Sequence, residues 1–159
     1  MRESGKRLLV LNNKLVDDLY VEAMVLADEA RAYLELGAAI ERALLDPFDR
    51  VLFSCESLKV TTRVMQVIAW LLTQRAVVRG EISRAESRAE NFRLGDAAPS
   101  DPKCTRVFPD EMRTIIAASE SLYLRAQRLE ELYLERPVIG LVHPTGPARD
   151  LMRLLESNF

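Results

Sequence analysis

The stretch from Asp46 to Gly80 reads DPFDRVLFSCESLKVTTRVMQVIAWLLTQRAVVRG and predicts one long helix. Asp46 is a good N-cap because its side chain can accept hydrogen bonds from unpaired N–H groups of the first turn. Pro47 suits the first helical position because it lacks the N–H that would have no partner there. Gly80 tolerates the left-handed conformation that often follows a helix end. We therefore expect a helix from Pro47 to Arg79.

Apolar residues recur at helical spacing on two opposite faces of this segment. The first line is Val51, Cys55, Leu58, Thr62, Met65, Ala69 and Leu72. The second line is Val60, Val64, Val67, Leu71 and Val78. A helix that is apolar on two faces needs two neighbours, either two other helices or one helix and a second copy of the chain. On this basis we expect Leu58 to belong to the core and Cys55 to be a buried free thiol.

A polar stripe separates the two apolar lines. It consists of Glu56, Lys59, Arg63, Gln66 and Gln74, and Trp70 lies within it. Partly exposed tryptophan side chains often contribute strongly to protein interfaces. We therefore take as candidate interface residues Trp70, Arg63, Gln66, Gln74, Lys59 and Tyr20. The alternative is that Trp70 lies flat over a neighbouring helix with its indole N–H in water.

Two further helices are predicted on either side of this segment. The first runs from about Asn13 to Leu36, is capped by Asn12 or Asn13 and ends at Gly37; a short helical turn over 38–45 follows. The third runs from about Pro109 to Glu135 and carries an apolar stripe. The prediction is an all-α fold, an antiparallel three-helix bundle with a long loop before the third helix and a short amphipathic C-terminal tail.

We expect a single helical-bundle domain over 1–159, with a flexible N-terminus at 1–12, a loop at 94–108 and a tail at 137–159. The charges of 80–93 alternate in sign, which is typical of a solvated helix extension or exposed polar arm, with a docking arm as the alternative. The tail carries the candidate docking residues Leu151, Met152, Leu154 and Leu155. They could pack on the bundle or be bound by a partner.

Overall charge argues against nucleic acid as a partner. The chain has 22 basic and 24 acidic residues and a net charge of −2, without the basic excess of most nucleic-acid-binding domains. Neither a signal peptide nor an apolar stretch long enough to span a bilayer is evident, so we expect no membrane association and a cytoplasmic location.

The residues needed for catalysis are sparse. The cysteines are Cys55 and Cys104, and the one histidine, His143, lies in a Pro/Gly-rich segment. No Glu-x-x-His pair of the kind used by di-iron bundles occurs, and no Gly-rich phosphate loop accompanies Arg63. We therefore expect no enzymatic activity, no cofactor and no metal.

The segment from Glu56 to Val77, ESLKVTTRVMQVIAWLLTQRAV, resembles the middle of the RcdA family, the regulators of CtrA degradation of alphaproteobacteria. The likeness continues through Gly80-Glu81. Weaker likeness covers LYVEAM at 19–24 and the third helix at 119–132, so about two-thirds of the chain is included.

The resemblance implies a three-helix bundle that forms a homodimer and acts as an adaptor without enzymatic activity. RcdA-like proteins help present cell-cycle regulators to the ClpXP protease. They work with a response-regulator-like priming adaptor on the ClpX-type unfoldase and with a cyclic-di-GMP-binding partner that brings the cargo CtrA. The family's C-terminal tail is linked to this function.

Two other functions remain open from the sequence. One is a helical transcription-associated regulator, in which Arg84, Arg88 and Arg93 would contact DNA. The other is a purely structural helical dimer of unknown partner.

Overall fold

The computed structural model describes the backbone of residues 2–135 and the side chains of 7 and 10–135. The predicted tail, with Leu151, Met152, Leu154 and Leu155, lies outside the described residues. Within 2–135 the fold is all-α, as predicted, and contains no strand. Its α-helices are α1 (Arg2–Ala32), α2 (Ala38–Ala43), α3 (Pro47–Val78), α4 (Pro102–Thr105) and α5 (Asp110–Glu135).

The predicted central helix is α3, and both of its ends agree with the sequence. Pro47 occupies the first turn, although the Asp46 side chain makes no capping hydrogen bond; Asp46 instead contributes its backbone carbonyl, which accepts from the Arg50 N–H at 2.9 Å. Gly80 has a φ of 74°, in the left-handed region. Its N–H donates to Val77 and that of Glu81 donates to Ala76, both at 3.0 Å, so the helix ends in a Schellman motif.

The first helix differs from the prediction at both ends. It begins at Arg2, so most of the predicted flexible N-terminus is part of α1, and Asn12 and Asn13 lie inside the helix rather than at its cap. Gly37 does not end it, because Gly37 keeps right-handed angles (φ −90°, ψ −35°) and the chain continues through a π-helical turn, Tyr33–Gly37, into α2.

Tyr33 explains this π-helical turn. Its side chain is buried, and its hydroxyl donates to Glu41 Oε2 at 2.8 Å, one turn into α2. A Cβ at Gly37 would lie 3.2 Å from the Tyr33 ring, so the glycine leaves room for the ring beside the backbone. Burial and the Glu41 carboxylate both raise the pKa of Tyr33, which keeps the hydroxyl protonated as a donor.

The three long helices pack on one another, but not all of them run antiparallel. Asp17 of α1 pairs with Arg75 of α3 at 3.3 Å, so the middle of α1 lies beside the end of α3. Likewise Glu22 of α1 accepts from Arg125 Nη1 of α5 at 2.8 Å. Between α3 and α5, with the turn before α5, the contacting pairs run in the same direction along both segments. They are Phe53 with Phe108, Arg63 with Ser119 and Trp70 with Tyr133. Helices α3 and α5 are therefore parallel, which corrects the predicted antiparallel arrangement.

The reason is the segment 80–108, which we call the strap. It leaves the end of α3 and returns along the groove between α3 and α5 to the start of α3, so α5 must run in the same direction as α3. The predicted helix extension at 80–93 is two short 3-10 turns, Glu86–Arg88 and Glu90–Phe92. The predicted loop at 94–108 includes α4.

The core is built from one apolar face of each long helix, and Phe108 closes it. The predicted stripe of α5 is buried at its first six members and half-buried at Tyr133, whereas Leu132, predicted to broaden it, is exposed; its members are Met112, Ile115, Ser119, Leu122, Ala126, Leu129 and Tyr133. Of the two apolar lines of α3, only the second enters the core, through Val60, Val64, Val67 and Leu71, and Phe53 and Trp70 of α3 are buried in the core as well. Among residues 2–135, no helix is both long and apolar enough to cross a membrane.

Candidate functional site

The first apolar line of α3 lies on the surface. We call it the outer face of α3; its members are Val51, Cys55, Leu58, Thr62, Met65, Ala69 and Leu72, and all are exposed. Leu58 is 70% exposed and Met65 is 59% exposed. The predictions that Leu58 is a core residue and that Cys55 is a buried thiol are therefore wrong. The physical reason is that α1, α5 and the strap cover the rest of the helix and leave this side to solvent.

Further apolar side chains are exposed between the end of α1 and the first turn of α3. Leu36, Ile40, Leu44 and Phe48 are each more than 70% exposed and recur every four residues. On α1, Val21 and Val25 are also exposed. A large exposed apolar surface on a water-soluble fold commonly marks an interaction site. The outer face of α3 is the first candidate functional site.

The polar stripe of α3, in contrast, is not exposed to solvent. Glu56, Arg63, Trp70 and Gln74 are all buried, with Arg63 only 1% exposed, and Lys59 and Gln66 are half-buried. The exposed stripe assumed for the candidate interface is therefore incorrect, because the strap covers it. Tyr20, the candidate on α1, is half-buried; the Arg75 guanidinium lies over its ring, 4.4 Å from the centroid.

Arg63 is the centre of the contacts beneath the strap. Its Nη2 donates to the carbonyl of Ala98 at 2.8 Å and to Ser100 Oγ at 2.7 Å, both in the strap. Its Nη1 donates to Ser119 Oγ of α5 at 3.1 Å. One buried guanidinium therefore joins α3, α5 and the strap.

Glu56, two turns earlier on α3, completes this end of the network. It accepts a hydrogen bond from Ser100 Oγ and a second from Lys59 Nζ at 2.7 Å. Lys59 Nζ also donates to the carbonyl of Pro99 at 3.2 Å. The buried carboxylate is thus paired and hydrogen-bonded, as a buried charge must be to avoid a large desolvation cost.

At the other end of the strap the contacts surround Trp70 and Tyr133. Arg84 donates to Gln74 Oε1 at 2.8 Å and lies 4.8 Å from the centroid of the Tyr133 ring. Arg88 donates to the Tyr133 carbonyl at 2.9 Å. The Trp70 and Tyr133 rings stack, so the indole lies over a neighbouring helix as in the alternative stated for it, but it is buried.

The middle of the strap is bound largely through its backbone. Tyr123 donates to the Gly95 carbonyl at 2.9 Å, the Leu94 N–H donates to Glu130 Oε1 at 2.7 Å, and the Ser100 N–H donates to Glu120 Oε1 at 2.9 Å. Burial, with the Asp96 carboxylate as a further cause, raises the pKa of Tyr123, so its hydroxyl remains a donor at neutral pH. A Cβ at Gly95 would overlap with the side-chain amide of Gln66, so the glycine permits this close approach.

The predicted basic arm of a DNA-binding regulator does not project from the bundle. Arg84 and Arg88 make the contacts described above, and Arg93 Nε donates to Glu130 Oε1 at 3.0 Å. These side chains therefore fasten the strap to α3 and α5. In the part of the chain that the structure describes, no group of three or more His, Cys, Asp or Glu side chains could hold a metal ion.

The strap as a binding partner of the polar stripe was missed at the sequence level. The sequence does contain a signal, since the polar stripe of α3 is followed by a polar, Gly/Pro-rich segment whose backbone and serine side chains can hydrogen-bond to it. What sequence could not supply was the direction in which that segment runs.

Comparison with known proteins places this geometry in context. Residues 9–159 match a family model described as a protein of unknown function, DUF1465. The crystal structure of RcdA from Caulobacter crescentus CB15 is similar, with 31% sequence identity, a TM-score of 0.63, and coverage of 77% of this chain and 93% of that chain. No curated protein matches the sequence significantly.

Proposed function

We propose, from the premise that this chain belongs to the DUF1465 family and is an RcdA-like protein, that it is a non-enzymatic adaptor that acts as a homodimer in regulated proteolysis. Family membership rests on the match over 9–159 and on the similarity to the RcdA crystal structure. The adaptor role is what the resemblance to RcdA implies for an all-α chain with an exposed apolar surface.

In this proposal the adaptor works in the cytoplasm and helps present cell-cycle regulators such as CtrA to ClpXP. Its partners are a ClpX-type unfoldase with a response-regulator-like priming adaptor, and the cargo proteins that they deliver. The chain contributes binding surfaces rather than chemistry.

The observation that carries the proposal is the spacing of the outer face of α3. From Val51 to Leu72 its residues alternate steps of four and three, which is the heptad seam of a coiled coil. Val51, Leu58, Met65 and Leu72 occupy one heptad position, and the small residues Cys55, Thr62 and Ala69 occupy the other. All seven are exposed, so the seam is available to a second helix.

A second copy of this chain is the occupant that we assign to the seam. A two-fold dimer needs one self-complementary patch, and an apolar heptad seam on one helix is such a patch. The seam is about 33 Å long at 1.5 Å per residue. Small side chains at every second seam position allow two α3 helices to approach closely.

Light scattering across a concentration series tests the dimer. We expect the unmodified chain to have twice the mass of one copy, and Leu58→Asp and Met65→Asp to be monomeric because each places a charge in the seam. Leu124→Asp is the matched control, since Leu124 is 48% exposed on α5, away from the seam. A monomeric unmodified chain, or a dimer unaffected by both seam variants, would refute this assignment.

Reconstituted degradation tests the adaptor role. Purified ClpXP, the priming adaptor, the cyclic-di-GMP-binding partner and CtrA from the same organism are combined with and without the chain. We expect the chain to increase the rate of CtrA loss, Leu58→Asp to reduce the increase and Leu124→Asp to preserve it. Equal rates with and without the chain would contradict the proposal for this cargo.

A further inference from the structure

The groove between α3 and α5, which the strap occupies, has the properties of a peptide-binding site. We propose that it binds an extended segment of a partner protein, and that residues 94–101 of the strap are an internal ligand that this segment displaces. The inference goes beyond the adaptor proposal, because peptide binding in the groove can be measured without any unfoldase or cargo.

The groove recognises backbone groups, which any extended peptide possesses. Arg63, Lys59 and Tyr123 donate to three strap carbonyls, those of Ala98, Pro99 and Gly95. In the opposite sense, Glu130 and Glu120 accept from the N–H groups of Leu94 and Ser100. The two acceptors thus bind N–H groups six residues apart in the segment, and they lie ten residues apart on α5, a rise of about 15 Å.

Two positions of the bound segment are also selected by side chain. At Gly95 the chain approaches Gln66 so closely that a Cβ would overlap with its amide. At Ser100 the hydroxyl lies between Arg63 and Glu56, accepting from the first and donating to the second. The ligand class is therefore an extended peptide with a serine or similar hydroxyl residue and, five residues earlier, a glycine or a small residue that the flexible end of Gln66 can shift to admit.

The polarity of the groove argues that it opens. A permanently covered face is usually at least as stable with apolar residues, since burying charges costs desolvation free energy. Here the buried α3 side chains beneath residues 94–101 are Arg63 and Glu56, whereas Trp70 and Gln74 lie beside Arg84 and Ser87 and stay covered when 94–101 leaves. Water then hydrates Arg63 and Glu56. Contacts that form and break within a chain are typically polar in this way.

The burial of the strap supports the same conclusion. Ser87 and Phe108 are buried, but no residue between them is, so the centre of the strap is held mainly by hydrogen bonds, with Leu94 partly packed against the core. Ala98 and Pro99, at the centre, are exposed on their outer side and bound through their carbonyls. The segment can therefore lift while Ser87 and Phe108 keep α5 in place.

The test uses the full chain and a fluorescent peptide with the strap sequence from Phe92 to Lys103, FRLGDAAPSDPK. In the released variant, Gly95→Val and Ser100→Pro are combined. They add bulk against Gln66 and remove the N–H and hydroxyl of Ser100, but change no residue of the groove. The matched control is Ala98→Val, which adds a side chain at an exposed strap position whose carbonyl alone is used.

Fluorescence anisotropy measures binding. We expect saturable binding to the released variant at least tenfold tighter than to the unmodified chain or Ala98→Val, because the cis strap competes at high effective concentration. Adding Glu120→Ala or Tyr123→Phe to the released variant should weaken binding at least threefold, and a peptide carrying the two strap substitutions should bind at least tenfold more weakly.

Three results would overturn the proposal. Loss of helical circular dichroism in the released variant would show that the strap is an inseparable part of the fold. A folded released variant that does not bind the peptide would show that the groove is not a ligand site. Binding that is insensitive to both groove substitutions and to the peptide substitutions would show that the peptide attaches elsewhere.

Discussion

Trp70 of α3 and Tyr133 of α5 stack with their ring centroids 6.0 Å apart and 29° between their planes. The contact joins the later parts of two parallel helices, and the returning strap contributes Arg84 over the Tyr133 ring. Trp70 is 3% exposed, so its role within one copy of the chain is packing.

Trp70→Ala should therefore destabilise the monomer rather than separate a dimer. We expect a loss of about 3–5 kcal/mol in the free energy of unfolding, because a buried aromatic side chain is replaced by a cavity. Urea unfolding followed by far-ultraviolet circular dichroism measures it. A variant of unchanged stability that is monomeric where the unmodified chain is dimeric would restore Trp70 as an interface residue.

Leu58→Ala should leave the stability of the monomer within about 0.5 kcal/mol, because an exposed side chain loses little burial on truncation. The physical basis is the 70% exposure of Leu58 on the outer face of α3. Unfolding is measured at dilutions where light scattering finds only monomer, so that dimer dissociation does not contribute. A loss of about 2 kcal/mol or more would mean that this face is buried within one copy.

Arg63→Ala should destabilise the fold by about 3–5 kcal/mol, the usual cost of removing one partner from a buried charged network. Ser119, Ser100 and the Ala98 carbonyl would lose their common donor. Chemical denaturation gives the stability, and hydrogen exchange at Ser100 should also accelerate as the strap loosens. Arg113→Ala is the control, since Arg113 is an exposed arginine of α5.

Gln74→Ala should cost about 1–2 kcal/mol, although its place in the polar stripe predicts a neutral effect. Gln74 is 4% exposed and accepts from Arg84 at 2.8 Å, so the substitution removes a buried hydrogen bond to a charged group. The melting temperature of Gln74→Ala is compared with that of Gln127→Ala, a substitution at a half-buried position of α5. Equal melting temperatures for the two variants would show that the Arg84 contact contributes little.

Glu22→Gln should reduce stability at neutral pH and have no effect in acid. The hydrogen bond from Arg125 lowers the pKa of Glu22 below its ordinary 4.5, so the ionised carboxylate stabilises the folded state. That contribution is complete above pH 4.5 and is lost as the pH falls through the lowered pKa. Because both side chains are partly exposed, the difference should be only about 0.2–1 kcal/mol. Urea unfolding at a series of pH values from 7 downward measures it; a difference that grows as the pH falls would contradict the assignment.

Sequence patterns located the helices well where local chemistry is strong. Pro47 and Gly80 set both ends of α3, since a missing N–H and a positive φ are local properties. The same patterns predicted wrongly that Gly37 ends α1, because glycine permits a helix end but does not require one, and Gly37 keeps right-handed angles here. The candidate interface residues other than Tyr20 lie on one stripe of α3, as the sequence pattern indicates, but the stripe is covered by the strap. The pattern could not show this, because hydrogen-bonding side chains can be satisfied equally well by water or by a polar segment of the same chain.

The sequence by itself determined the all-α class, the extent of α3 and its division into two apolar lines and one polar stripe, because 3.6-residue periodicity and end-capping are encoded residue by residue. Only the tertiary structure decided which line is core and which is surface. The helix α3 is covered by α1, by α5 and by the strap, which returns along the polar stripe. Because the strap returns in this direction, α5 runs parallel to α3, and the line that includes Leu58 is left in solvent. That choice depends on contacts between residues far apart in the chain, which no local pattern specifies.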